Sequence, residues 1–137
     1  MTKQTPALLD TDVLSAIMRK NPLATERARS YLETHRQFAF SVITRYEVLR
    51  GLLIKGATKQ LATFDQLCAT SRVFPLTDSI IVLGASIYAD LYQRGELISD
   101  ADILIAATAI SHGLAVVTNN EVHFRRVKDL EVQNWLA

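Results

Sequence analysis

A single cysteine, Cys68, excludes an internal disulfide. The three histidines, His35, His112 and His123, are scattered, and with one thiol they form no zinc-ligand spacing. Long apolar runs are absent too: the longest, around residues 103–110, falls far short of the ~20 residues a membrane-spanning helix needs. Residues 1–6 are polar and the apolar stretch after them stops at Asp10, which does not resemble a signal peptide. These absences lead to the expectation of a cytoplasmic protein in a reducing compartment. Neither sign of charge dominates, the net being +1, so the total does not mark a nucleic-acid binder. Repeats, low-complexity tracts and linkers are also missing.

What is present is enough apolar sequence, 49% of 137 residues, for one well-packed core, and too little length for two ordinary domains. Cys68 sits in an amphipathic stretch and reads as a packed thiol. His112 before Gly113 reads as the last turn of a helix and its glycine cap. His35 closes another helix.

Hydrophobic periodicity alternates along the chain. Residues 7–9 form a short apolar strand ending at Asp10, and residues 11–20 have helical spacing until Asn21-Pro22 breaks it. A helix follows over 23–34, a strand over 38–40, and a helix from Ser41 to Gly56 whose inward stripe is Val42, Ile43, Tyr46, Leu49 and Leu53. A helix over 58–70 and a strand over 72–74 come next. Thr77 caps a long helix to Gly95, and its neighbour over 101–111 is apolar nearly all round, as a buried helix would be. Residues 115–117 read as a central parallel strand, and Val132 marks an edge strand before Trp135. Strands joined by helices need right-handed crossovers that cover both sheet faces. The expected class is α/β: a three-layer α/β/α sandwich with a mostly parallel central sheet.

On this map four carboxylates, Asp10, Glu47, Asp100 and Asp102, fall where strands are expected to hand over to helices. In an open α/β sheet such points gather along the carboxyl edge, so distant acids can meet in one crevice. Each has a bland explanation. Thr44-x-x-Glu47 and Ser99-x-x-Asp102 match the capping-box pattern, Asp10 can N-cap its helix, and Asp100 favours a helix's positive end. Capping does not require carboxylates, however, since Ser, Thr or Asn serve equally well, nor does it predict that the acids share one sheet edge. Crowded acids need a cation or must stay protonated. Hard ions such as Mg²⁺ or Mn²⁺ take oxygen ligands, keep several waters and activate water for attack on phosphorus.

The run Leu8-Leu9-Asp10-Thr11-Asp12-Val13-Leu14 resembles the opening motif of PIN-domain nucleases, and Ser41-Val42-Ile43-Thr44-Arg45-Tyr46-Glu47 resembles their second. Asp102-Ile103-Leu104-Ile105-Ala106-Ala107 and Val116-Val117-Thr118-Asn119-Asn120 are similar to the third and fourth, in the same order. The tail through Phe124, Arg126-Val127 and Asn134-Trp135 is similar to that of VapC toxins. The resemblance implies a single PIN-like domain over residues 1–137 and an Mg²⁺-dependent (or Mn²⁺-dependent) endoribonuclease, cutting in several relatives the anticodon stem-loop of a tRNA. It further implies a VapB antitoxin whose tail lies in the groove and blocks the acids, often with an inserted Arg, and a homodimer. It assigns catalysis and metal binding to Asp10, Glu47 and Asp102, with Asp100 a nearby acid able to bind through water. Asp12, Thr118 and Asn120 take orienting roles. The family's fourth acid often sits where this chain has Asn120, and Glu121 is the neighbouring substitute.

With the four acids drawn into one site the rest of the surface would carry about +5, which suits a polyanion. Arg125, Arg126 and Lys128 make a basic knot and Arg45 and Arg50 flank Glu47, so these are the candidate RNA contacts; ordinary solvated charge is the bland reading. Two other classes stand beside the nuclease. Asp10-Thr11-Asp12-Val13 also resembles the opening of haloacid-dehalogenase-type phosphatases, with Asp10 as nucleophile, although Leu14 stands where those enzymes want Thr or Val. The third reading is a non-catalytic domain, a degenerate PIN binding module or a flavodoxin-like receiver; the receiver's Asp and Lys are missing at Phe74-Pro75-Leu76 and Gln133-Asn134-Trp135.

Overall fold

The computed structural model of the protein describes residues 5–137, so the reading of residues 1–4 as part of a polar amino end lies outside the described residues. The order of elements is β1 (Ala7–Leu9), α1 (Thr11–Met18), α2 (Pro22–His35), β2 (Ala39–Ser41), α3 (Val42–Lys55), α4 (Thr58–Thr70), β3 (Arg72–Phe74), α5 (Asp78–Gln93), α6 (Asp100–Ser111), β4 (Ala115–Val117), α7 (Glu121–Phe124) and β5 (Val132–Gln133). Every strand pair is parallel. β4 lies between β1 and β5, and β2 pairs with β3. β1 and β2 run side by side and bring the two ladders together.

The period-two alternation of strand side chains divides the core into two layers. Leu8 and Val116 point to one face, where Ile80, Ile87 and Leu91 of α5 and Ile103, Ala106 and Ala107 of α6 cover them. Ala7, Leu9, Ala115 and Val117 point to the other, against Val13 and Leu14 of α1, Tyr31 of α2, Val48 of α3 and Phe64 of α4. This is the expected α/β/α sandwich. Its α5–α6 layer is tight because Gly84 has no side chain: a Cβ there would meet Leu104 Cδ2 at 3.2 Å. No helix among the described residues is long and apolar enough to cross a membrane.

Five expectations are corrected. α1 ends at Met18, because Arg19 caps it and Lys20 turns left-handed at φ 61°. β2 starts one residue later than expected, at Ala39. α7 has too few residues for a hydrophobic period to be visible, and its turn was not expected. The inward stripe of α3 is rotated: Thr44 and Val48 are buried while Tyr46 and Leu53 are 60% and 64% exposed. Finally, α6 follows α5 directly through residues 94–99, so no strand hands over to Asp100 and Asp102. They reach the carboxyl edge of the sheet because α6 opens there.

Candidate active site

Asp10 leaves the end of β1 and is 5% exposed. Its Oδ1 accepts from Thr11 N at 2.8 Å, so it does cap α1. Its Oδ2 accepts from the fully buried Thr118 hydroxyl, also at 2.8 Å. Thr118 Oγ1 in turn accepts from Asn120 N at 2.9 Å, which fixes the hydroxyl's direction and ties the end of β4 to that of β1.

Glu47 has no capping role. α3 begins at Val42 with Ser41 as its cap, accepting from Ile43 N, which places Glu47 in the second turn. Its Oε1 accepts from the Thr11 hydroxyl at 2.6 Å, and Thr44 Oγ1 lies 3.2 Å from the same hydroxyl. Arg50 reaches Glu47 Oε2 only at 3.7 Å, spread over the Tyr46 ring.

Asp102 lies in the first turn of α6, where the Ser99 hydroxyl accepts from its backbone N at 3.1 Å. Its carboxylate stands 3.9 Å from His123 Nδ1. Asp12 Oδ2 accepts from Asn119 N at 3.1 Å, joining α1 to the loop after β4, while its Oδ1 is buried with no hydrogen-bond partner.

The electrostatics follow from this crowding. Burial first, then the charges of Asp12 and Asp102, push Asp10 from 3.8 to about 7 against the opposing hydrogen bonds from Thr118 and Thr11. Burial also raises Asp12, and burial with the nearby Glu47 and Asp12 charges raises Asp102. Among the described residues no Lys or Arg forms an ion pair with Asp10, Asp12 or Asp102. No three His, Cys, Asp or Glu side chains close into a metal cage among those residues either. A hard cation would find here only carboxylate oxygens of a few side chains and would keep its remaining positions for water or phosphate. The orphaned Asp12 Oδ1 and the repelling carboxylates are the features such an ion would satisfy.

The other expected residues are placed differently. Asp100 is exposed at the first position of α6, outside these contacts. Glu121 is turned away, with Oε1 held by Arg125 at 2.8 Å and Oε2 by Asn134 at 3.0 Å; these partners pull its pKa down. Asn120 Nδ2 lies 2.8 Å from His123 Nδ1. The basic knot is largely engaged: Lys128 pairs with Asp90 at 3.4 Å, and Arg126 donates to the carbonyls of Glu96 and Leu97. Arg45 interacts with Cys68 on the α3–α4 side, and Cys68 is a half-buried thiol as expected. His112 caps α6 and stacks on Phe74 at 3.9 Å, a structural position.

Two residues at this site had no expected role. Thr11 holds Glu47 across 36 residues, a separation that gives no local signal. His123 joins Asn120 at the i,i+3 spacing of one helical turn, and reading that turn as helix would have exposed it.

A family model described as PIN domain matches residues 7–130. The chain is 32% identical over 127 residues to Ribonuclease VapC1 of Methanocaldococcus jannaschii, covering 93% of this chain and 85% of that protein. Among solved structures it is similar to DNA-bound VapBC from Salmonella typhimurium, with TM-score 0.84, 25% identity and coverage of 96% and 99% of the two chains. It is also similar to FitAcB from Neisseria gonorrhoeae, with TM-score 0.80, 27% identity and coverage of 94% and 97%.

Proposed function

The chain belongs to the PIN-domain family, and from that membership we propose that it is a VapC-type toxin, a divalent-metal-dependent endoribonuclease restrained by a VapB-type antitoxin. The observation that carries the proposal is the set of Asp10, Asp12, Glu47 and Asp102, drawn from the openings of α1 and α6 and the second turn of α3 into mutual electrostatic contact, with Asp10 at about 7. Structural acids are normally paired or solvated. These three aspartates repel one another, an arrangement that makes sense as a cation site.

In this reading Asp10, Glu47 and Asp102 hold Mg²⁺ or Mn²⁺. A bound divalent ion would offset charge on the phosphate oxygens and ease deprotonation of the attacking water. The chain's own hydroxyls do the positioning: Thr118 fixes Asp10 and Thr11 fixes Glu47, so that both carboxylates meet the ion without first rearranging. The RNA proposed is the anticodon stem-loop of a tRNA, on the strength of the family resemblance.

The antitoxin's tail would lie in the groove of about 310 Å³ beside Glu47, which has Met18, Val48 and Leu52 on its walls and Arg19 and Lys55 among its lining residues. The Salmonella typhimurium relative is a VapBC complex. Self-association belongs to the same reading. Ile81, Tyr88 and Tyr92 are exposed, and their spacing puts them on one side of α5.

The test is to free the purified protein from any antitoxin and incubate it with total RNA, with Mg²⁺ and with chelator. Cleavage should require the metal and vanish in Asp10→Asn and Asp102→Asn, both still folded. Full cleavage by either variant would refute the assignment. Mapping the cut ends identifies the RNA, and expression without antitoxin should arrest growth.

A further inference from the structure

Asp12 stands in the crevice with one carboxylate oxygen paired and the other not. Its Oδ2 is held by Asn119 N at 3.1 Å, which fixes the carboxylate at the end of β4, while Oδ1 is buried with no donor. A carboxylate oxygen removed from water and left unpaired is costly. The group also lies within hydrogen-bonding reach of Asp10, and among the described residues no Lys or Arg forms an ion pair with either acid. Asp102 feels the same charge across the crevice. Asn120, by contrast, is neutral, with its side-chain amide nitrogen beside His123. Asp12 is thus the residue that brings a further carboxylate to the end of β4.

Resting on the metal-dependent reading above, we propose that Asp12 is a direct ligand of the divalent cation, with Oδ1 as its coordinating atom, rather than a group that merely orients the loop after β4. Hydrogen bonding alone does not account for an acid here. An Asn at this position would accept from Asn119 N equally well and would donate to Asp10, removing the repulsion. The carboxylate serves an ion better than it serves the empty fold.

Mn²⁺ binding followed by electron paramagnetic resonance tests this without reference to RNA cleavage. Asp12→Asn keeps the acceptor for Asn119 N, so it should stay folded, yet it should bind Mn²⁺ at least about tenfold more weakly than wild type. Asp100→Asn, an exposed acid two residues from Asp102, controls for loss of negative charge and should bind nearly as wild type does. Asp12→Cys should move preference toward the softer Cd²⁺ and produce a thiolate-to-cadmium ultraviolet charge-transfer band absent from wild type, whose Cys68 lies on the α3–α4 side. Wild-type Mn²⁺ affinity in Asp12→Asn, or weakened affinity with no cadmium band in folded Asp12→Cys, would overturn the ligand assignment and leave the proposed function standing. If the wild-type protein takes up no Mn²⁺, the functional reading itself fails with it.

Discussion

The Thr118 hydroxyl donates to Asp10 Oδ2 at 2.8 Å across 108 residues of sequence, and both groups are buried. The same oxygen accepts from Asn120 N, so one hydroxyl serves as donor to the acid and acceptor for the loop. Thr118→Val keeps the shape and loses both bonds, leaving Asn120 N without that acceptor and Asp10 with less support for its charged form. The expected cost is about 1–3 kcal/mol in urea unfolding, together with weaker metal binding. Thr118→Ser should restore most of both. A Val variant as stable as wild type would show that the hydroxyl is dispensable.

The raised acids set a pH dependence whose sign is unusual for aspartates. Asp10 titrates at about 7 when folded against 3.8 for the unfolded group, so the folded state retains a proton that the unfolded state releases. Stability of the metal-free protein is therefore greatest on the acid side of this window and is lost as pH rises from about 4 to about 7. Asp12 and Asp102, also raised, add in the same direction. Denaturant curves at pH 5 and pH 8 should differ by a few kcal/mol, to order of magnitude. Asp10→Asn should flatten the difference, and saturating Mg²⁺ should recover stability at pH 8 in the wild type by binding only the folded state. A stability that rises over this interval would contradict the crowding of the site.

Thr11 makes a separable prediction, because its hydroxyl touches Glu47 while its backbone N serves Asp10. Thr11→Val removes the first contact and keeps the second. Glu47 then has only Arg50, at 3.7 Å, and should turn toward it. RNA cleavage should fall by about tenfold or more, chiefly in kcat, with Thr11→Ser close to wild type. An unchanged kcat in Thr11→Val would remove Thr11 from the positioning set.

The legible part of this protein was what period and punctuation encode. β1, α4, β3 and β4 have the expected limits because apolar runs, the Gly56 stop and Pro75 mark them locally. Asp10 and Asp102 were legible as acids at helix openings. The rotation of α3 was not, since Tyr46 and Leu53 look inward by hydrophobicity, while the polar Thr44 is the buried residue, with the Thr11 hydroxyl 3.2 Å from its own. Nor were the roles of Thr11 and His123, which depend on which helix turns face each other. The handover rule did not hold at Asp102, because α6 opens after another helix, not after a strand. Nor did charge counting show the partners of the basic residues: Lys128 pairs with Asp90, Arg125 with Glu121, and Arg126 donates to backbone carbonyls.

That last point separates two adjacent arginines. Arg126 donates to the carbonyls of Glu96 and Leu97, and its own carbonyl accepts from Arg94 at 2.6 Å, so it clamps the segment that leads into Ser99 and Asp102. Arg125 only pairs with Glu121 at the surface. Arg126→Ala should therefore cost about 1–3 kcal/mol of stability and slow cleavage by loosening the start of α6, with little change in the salt dependence of RNA binding. Arg125→Ala should leave stability unchanged. If its guanidinium leaves Glu121 to meet a phosphate, this variant should bind RNA more weakly and lower the slope of log affinity against log salt by about one. Stability and salt slope, measured on both variants, distinguish the two roles: if Arg126→Ala moved only the salt slope, it would be an RNA contact and the clamp would have no energetic weight.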